Sequence, residues 1–198
     1  MRCHRVLILV IVALLIFNLP ANAQIDISSI SVKIGSIGTF QTYTPYASAL
    51  NPEIEVGGMF LSKYLNWGIY WSYWNDGVNE ILWLDSPVYN YSSHILGCHI
   101  SFSLTHLDDN WVIPIEIFAG ASEHFIKARC LSKGWGETEG DFSKAITTGD
   151  LGLSLPINII GPWNILAEAQ MFLPFDRNKN DQLKQDRLAL KIAIKYLL

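Results

Sequence analysis

The chain reads as all-β: an eight-stranded antiparallel up-and-down barrel that crosses a membrane. Three observations predict it. Apolar residues alternate with polar or small ones over long stretches, the period of a strand with two unlike faces. The connections alternate between short and long. Trp-x-Ile recurs three times, at Trp67-Gly68-Ile69, Trp111-Val112-Ile113 and Trp163-Asn164-Ile165, each directly after a short turn. Tryptophan favours the headgroup level of a bilayer, and transmembrane barrels carry aromatic girdles there. Trp67, Trp111 and Trp163 therefore mark one common, periplasmic interface.

The N-terminus sets the expected compartment. Arg2, His4 and Arg5 precede an uncharged apolar run from Val6 to Leu19, Pro20 breaks it, and Ala21-Asn22-Ala23 is a small-x-small cleavage pattern before Gln24. This pattern is that of a secretory signal peptide over residues 1–23, because the run is short and ends in a cleavage site. Cys3 lies ahead of the apolar run, which excludes it as a lipoprotein cysteine. The barrel domain is then residues 24–198.

Half of the residues are hydrophobic, yet no later run approaches the ~18 residues of a spanning helix. Loss of Arg2 and Arg5 from the 14 basic residues leaves 12 against 18 acidic ones, a formal charge of −6. With no basic stripe, nucleic acid is not an expected partner. Cys98 and Cys130 could form one disulfide in an oxidising compartment. Their positions, mid-strand and loop, argue against pairing.

The first strand runs from Ser29 to Tyr43, with Ile30, Val32 and Ile34 opposite Ser31, Lys33 and Gly35. The second, Glu53 to Tyr64, sets Ile54, Val56 and Phe60 against Glu53, Glu55 and Lys63. Leu65-Asn66 is read as a tight turn into the third, where Trp67, Ile69, Trp71 and Tyr73 oppose Gly68, Tyr70, Ser72 and Trp74. The fourth, His94 to Thr105, alternates Leu96, Cys98, Ile100 and Phe102 with Gly97, His99, Ser101 and Ser103. After a turn at Leu107 to Asn110 the fifth sets Trp111, Ile113, Ile115 and Ile117 against Val112, Pro114, Glu116 and Phe118. The sixth pairs Leu151, Leu153, Leu155 and Ile157 against Gly152, Ser154, Pro156 and Asn158. Ile160-Gly161-Pro162 turns into the seventh, where Trp163, Ile165, Ala167 and Ala169 oppose Asn164, Glu168 and Gln170. In the eighth, Leu188, Leu190, Ile192, Ile194 and Tyr196 alternate with Arg187, Ala189, Lys191, Ala193 and Lys195. Pro114 and Pro156 lack a ladder donor and call for bulges or strand ends.

The long connections are Thr44–Pro52, Asn75–Ser93, Ser122–Gly149 and Pro174–Asp186. Short turns on one side and long loops on the other are the asymmetry of bacterial outer-membrane barrels, with the short turns periplasmic. On these features the chain resembles the small eight-stranded outer-membrane barrels, the group of the OmpA transmembrane domain, OmpX and OmpW. The resemblance is architectural and covers residues 24–198. It implies residence in the bacterial outer membrane, contact with its lipids, and assembly by the outer-membrane machinery with periplasmic chaperones. Members commonly end in Phe or Trp, whereas this chain ends Lys195-Tyr196-Leu197-Leu198, with Tyr196 in the apolar register.

If the charged faces point inward, Glu53, Glu55, Glu116, Glu168, Lys33, Lys63, Arg187, Lys191 and Lys195 share a narrow lumen. Opposite charges there should pair, with Glu168–Lys191 the foremost pair. This predicts a filled, charge-networked interior. A gated conduit with rearranging salt bridges, or a carrier of small apolar ligands, is the competing reading. A soluble lipocalin-like barrel is a second, but it would crowd the tryptophans at one end of its cavity. His94, His99, His106 and His124 have serines nearby but no orienting carboxylate at a triad spacing, and no metal-ligand spacing occurs. No enzyme activity, cofactor or metal is expected. The longest loop, Ser122–Gly149, carries Lys127, Arg129, Lys133 and Trp135, candidate contacts for lipopolysaccharide phosphates and acyl chains.

Overall fold

The computed structural model describes residues 26–39, 49–60, 62–76, 88–104, 114–132, 140–176 and 186–198. Eight strands form the wall: β1 (Asp26–Thr39), β2 (Glu53–Phe60), β3 (Ser62–Asp76), β4 (Val88–Ser103), β5 (Glu116–Ser132), β6 (Phe142–Ile160), β7 (Trp163–Pro174) and β8 (Arg187–Leu197). Each pairs antiparallel with the next, and β1 pairs with β8 from Ser29↔Leu197 to Thr39↔Arg187. That last ladder closes the barrel and removes the open edges that would otherwise attract further strands.

A two-residue piece, Ala49–Leu50, extends the β2 side by pairing with Ile37 and Ser36. Between it and β2 the ladder is interrupted at Pro52, which has no N–H to give. Asn51 bridges the gap. Its backbone N–H donates to the Gly35 carbonyl at 2.9 Å, and its side-chain amide donates to the Tyr73 carbonyl at 3.0 Å and to Ser72 Oγ.

The two faces of the wall are sorted opposite to those of a water-soluble protein. On β8, Leu190, Ile192 and Ile194 are more than half exposed on the outside, while Lys191 and Arg187 are buried inside. On β1, Val32 and Ile34 are exposed and Ser31 and Lys33 are buried. Only surroundings that are themselves apolar make this arrangement favourable, so the outward band is lipid-facing. Trp163 packs edge-on against Tyr196 at 4.7 Å between centroids, and Trp67 lies level with Ile100 of β4.

Several element boundaries differ from the sequence reading. Leu65 and Asn66 are not a turn: Leu65 pairs with Phe102, and Asn66 pairs with both Met59 and Ser101. Asn66 continues the inward register of Gly68 and Tyr70, where a polar side chain is appropriate. The fifth strand begins at Glu116 rather than Trp111, and Pro114 lies ahead of it. Trp111 and the turn at 107–110 lie outside the described residues. Most of the expected loop 122–149 is strand, since β5 continues to Ser132 and β6 starts at Phe142. Pro156 is within β6 but beyond the last β5–β6 pair, Glu116↔Ser154, so it has one neighbouring strand instead of two. Cys98 is exposed on the outer wall, Cys130 is on β5 rather than in a loop, and no disulfide joins them.

The β6–β7 hairpin turns at Gly161-Pro162, with Gly161 at φ +60°. A glycine with positive φ followed by a proline with its fixed negative φ is the pattern of a type II′ turn, whose twist suits a tight hairpin.

Candidate functional site

The site is the lumen. It is built from one inward residue in every two along each strand, so its contents follow from the strand period. Near its middle lies an ion layer. Lys33 Nζ of β1 is 2.8 Å from Glu55 Oε2, 2.6 Å from Glu168 Oε2 and 3.0 Å from Glu53 Oε1. Lys191 Nζ donates to Glu53 Oε2 and to Gln170 Oε1, with Glu168 Oε1 at 3.6 Å. Lys33 and Glu53 are only 2% and 1% exposed. At such burial a lone charge would be costly, and each ammonium here faces at least two carboxylates.

Beside this layer is a neutral-to-acidic hub centred on Asp150 of β6. Tyr70 donates to Asp150 Oδ2, while Ser122 Oγ and Thr148 Oγ1 donate to Oδ1 at 2.9 and 2.8 Å. Gln170 joins the two groups, since its Nε2 donates to Tyr70 Oη at 3.0 Å and its Oε1 accepts from Lys191. Ser122 Oγ also lies 3.3 Å from His124 Nε2. This Ser–His–Asp grouping is not a nucleophilic triad. Asp150 binds the serine rather than orienting the imidazole, His124 Nδ1 has no hydrogen-bond partner among the described residues, and all three residues are buried.

Towards the end bearing the long connections, the lumen turns apolar. Ile37, Tyr70, Trp74, Ile95, Phe172 and Ala189 form one buried cluster, and Ile126 with Ile146 form another beside Tyr91. Arg187 lies 4.9 Å over the Trp74 ring, and Phe172 packs edge-on against His124.

Inward glycines make space for the rings that fill the bore. A Cβ on Gly97 would lie 2.3 Å from the Tyr70 ring, and one on Gly152 2.2 Å from Phe118. A Cβ on Gly68 would lie 2.7 Å from His99 Nε2. Three aromatic side chains thus lie across three bare stretches of neighbouring backbone.

Of the charges predicted to share the lumen, Lys33, Glu53, Glu55, Glu168 and Lys191 meet in one network. Glu168 and Lys191 are directly opposite in the β7–β8 ladder, but each makes its shorter contact elsewhere, with Lys33 and Glu53. Arg187 lies apart from the ion layer, over Trp74. Glu116 and Lys195 line a roomier cavity of about 400 Å³ nearer the chain termini. The side chain of Lys63 lies outside the described residues. Lys127 and Arg129 are strand residues of β5, not loop residues, and both are exposed; Lys133 and Trp135 lie outside the described residues. The Asp150 hub was missed because Ser122, His124 and Thr148 fell inside the supposed loop. Its signal was the continued alternation of His124, Ile126 and Ala128 with Phe125, Lys127 and Arg129.

No protein-family model matches the chain, and no curated protein matches it. Solved structures do. A major outer membrane protein from Thermus thermophilus aligns over 87% of this chain and 100% of its own, at 8% identity and a TM-score of 0.60. Neisserial surface protein A aligns over 86% and 96%, at 9% identity and 0.54. The N-terminal β-barrel domain of Pseudomonas aeruginosa OprF aligns over 89% and 100%, at 10% identity and 0.50. At these identities the likeness is one of fold: the small eight-stranded outer-membrane barrel.

Proposed function

We propose that this chain, an eight-stranded barrel of the outer-membrane type, is a non-conducting integral protein of the bacterial outer membrane. Its working surface is the end that carries the long connections. The observation that supports a plugged state is the closure of the lumen by two different layers in series. The Lys33–Lys191 ion layer fills the middle, and the apolar cluster around Ile95, Trp74 and Phe172 lies beyond it. An ion would have to separate a buried charge network and then pass tightly packed rings with the Arg187 guanidinium over Trp74, two barriers of different kind. This favours a structural or surface-interaction role over a pore, a ligand carrier or an enzyme.

Lipopolysaccharide is the proposed lipid partner. Across β3, β4 and β5 the outward residues Tyr73, His94 and Phe125 lie in one ladder row, the next row holds Asn75, Ser92 and Lys127, and Arg129 is opposite Asn90 above it. Aromatic rings surmounted by exposed bases are the order expected from acyl chain to phosphorylated headgroup.

Cell fractionation followed by gel migration with and without boiling tests the first reading. A heat-dependent shift in the outer-membrane fraction, together with no single-channel steps in a planar bilayer, is expected. Regular conductance steps would favour the pore. A soluble periplasmic protein with no shift would remove the membrane reading altogether.

A further inference from the structure

Below the ion layer, towards the end that carries the chain termini and the Gly161-Pro162 hairpin, the lumen is not filled. A cavity of about 400 Å³ extends from Glu55 and Glu168 down to Leu197 and Leu198. At ~30 Å³ per molecule it has room for roughly a dozen waters. Its polar wall includes Ser101, Ser154 and Asn164, and it also contains Glu116 and Lys195, which make no ion pair among the described residues.

Two buried groups on this cavity have unmet hydrogen-bonding capacity. Glu168 is 7% exposed, and its Oε1, 3.6 Å from Lys191 Nζ, accepts no hydrogen bond among the described residues. His99, whose side chain is 9% exposed, has no partner for Nδ1 among the described residues. Buried polar atoms of this kind are satisfied by water or by a ligand. The charge balance chooses between ligands. Among the described residues Glu53, Glu55, Glu116 and Glu168 stand against Lys33, Lys191 and Lys195, with Glu55, Glu116, Glu168 and Lys195 on the cavity wall. One negative charge is left over inside a low-dielectric wall, which concentrates its field along the cavity.

We propose that this cavity is a blind, water-filled vestibule, open at the terminal end only, that admits small organic cations in preference to anions. An ammonium group on such a solute meets Glu168 Oε1 and the Glu116 carboxylate, much as Lys33 already meets three carboxylates on the other side of the floor. The layers above stop it from passing through.

Charged thiol reagents test both parts of the proposal. In a Cys98→Ser, Cys130→Ser background, single Ser101→Cys and Ser154→Cys variants report on the vestibule, and Ser93→Cys reports on the apolar layer above the seal. Each folded variant, checked by its heat-shifted migration, is treated with a trimethylammonium-bearing and a sulfonate-bearing methanethiosulfonate. Each rate is divided by that reagent's rate with a free thiol in solution. Ser101→Cys and Ser154→Cys should react at least several-fold faster with the cation, Glu116→Gln should bring that ratio towards unity, and Ser93→Cys should stay unmodified. Equal rates, or faster reaction with the anion, would overturn the cation preference. Protection of both vestibule cysteines in folded protein would overturn the hydrated cavity. Modification of Ser93→Cys as fast as Ser101→Cys would show an open passage, which removes the plugged-barrel reading and the blind end while leaving any charge preference measurable.

Discussion

Lys33 Nζ reaches Glu168 Oε2 at 2.6 Å across the lumen, joining β1 to β7 past the intervening β8. The two residues are 135 positions apart, and closure of the barrel brings them together. Lys33 also holds Glu53 and Glu55, so replacing it strands three buried carboxylates around the single ammonium of Lys191. Breaking a buried pair from one side typically costs about 3–5 kcal/mol. Lys33→Met should therefore lower the stability of the folded barrel by about that much, read as the urea midpoint for loss of the unboiled gel band. Adding Glu168→Gln removes one stranded charge and should recover more than ~1 kcal/mol, a coupling that residues acting independently would not give. An unchanged midpoint in Lys33→Met would mean that the ion layer does not hold the wall together.

The glycine–aromatic contacts make a sharper, paired prediction. Gly97→Ala puts a methyl group where the Tyr70 ring now lies, and moving that ring pulls its hydroxyl away from Asp150. Overpacking of this kind costs roughly 1–3 kcal/mol. Gly38 of the same barrel has nothing among the described residues within 4 Å of an added Cβ, so Gly38→Ala should be neutral or gain up to about 1 kcal/mol through the unfolded chain. Equal losses in the two variants would show that backbone conformation, rather than room for Tyr70, explains the glycines.

The alternation of Lys191 with Leu190 and Ile192 is legible because β8 crosses lipid throughout, and lipid enforces a strict two-face pattern. That same pattern places Glu168 opposite Lys191 on neighbouring strands. It does not reveal the Lys33–Glu168 contact, which depends on how far the strands are staggered when the sheet closes. The pattern also fades along the upper parts of β5 and β6. There Ile126, Ala128 and Ile146 point inward while Lys127 and Arg129 are exposed, so the apolar side of each strand changes over as it leaves the bilayer. A stretch with bases outside and isoleucines inside reads as an irregular loop to anyone tracking lipid-facing positions. Asn66 misleads for a related reason: asparagine favours turns, but it is equally suited to a wet lumen.

The lipid-facing assignment can be tested at two exposed positions. Ile192 is 63% exposed near the middle of β8, and Ile160 is 77% exposed beside the Gly161-Pro162 turn. Lysine costs about 2–4 kcal/mol at the midplane of a bilayer and about 0–1 kcal/mol near its interfaces. In phospholipid vesicles Ile192→Lys should therefore lose much more folding free energy than Ile160→Lys. A soluble barrel would place both side chains in water, and both substitutions would then be nearly silent. A flat result would thus remove the lipid-facing assignment.

Lys127 and Arg129 bear on the proposed lipid partner. Lys127 is opposite Ser92 and Ser143, and Arg129 is opposite Asn90, one and two ladder rows beyond the Tyr73–His94–Phe125 row. Each base close to an anionic surface contributes about 1 kcal/mol of attraction. Lys127→Ser combined with Arg129→Ser should then weaken binding of purified lipopolysaccharide by roughly thirtyfold at low salt, with little change in the urea midpoint. The difference from the unaltered protein should shrink as salt is raised, because exposed charges are screened within about 10 Å at 0.1 M. Unaltered binding at low salt would sink this headgroup site, and a loss that persists at high salt would point instead to packing of the lysine and arginine stems.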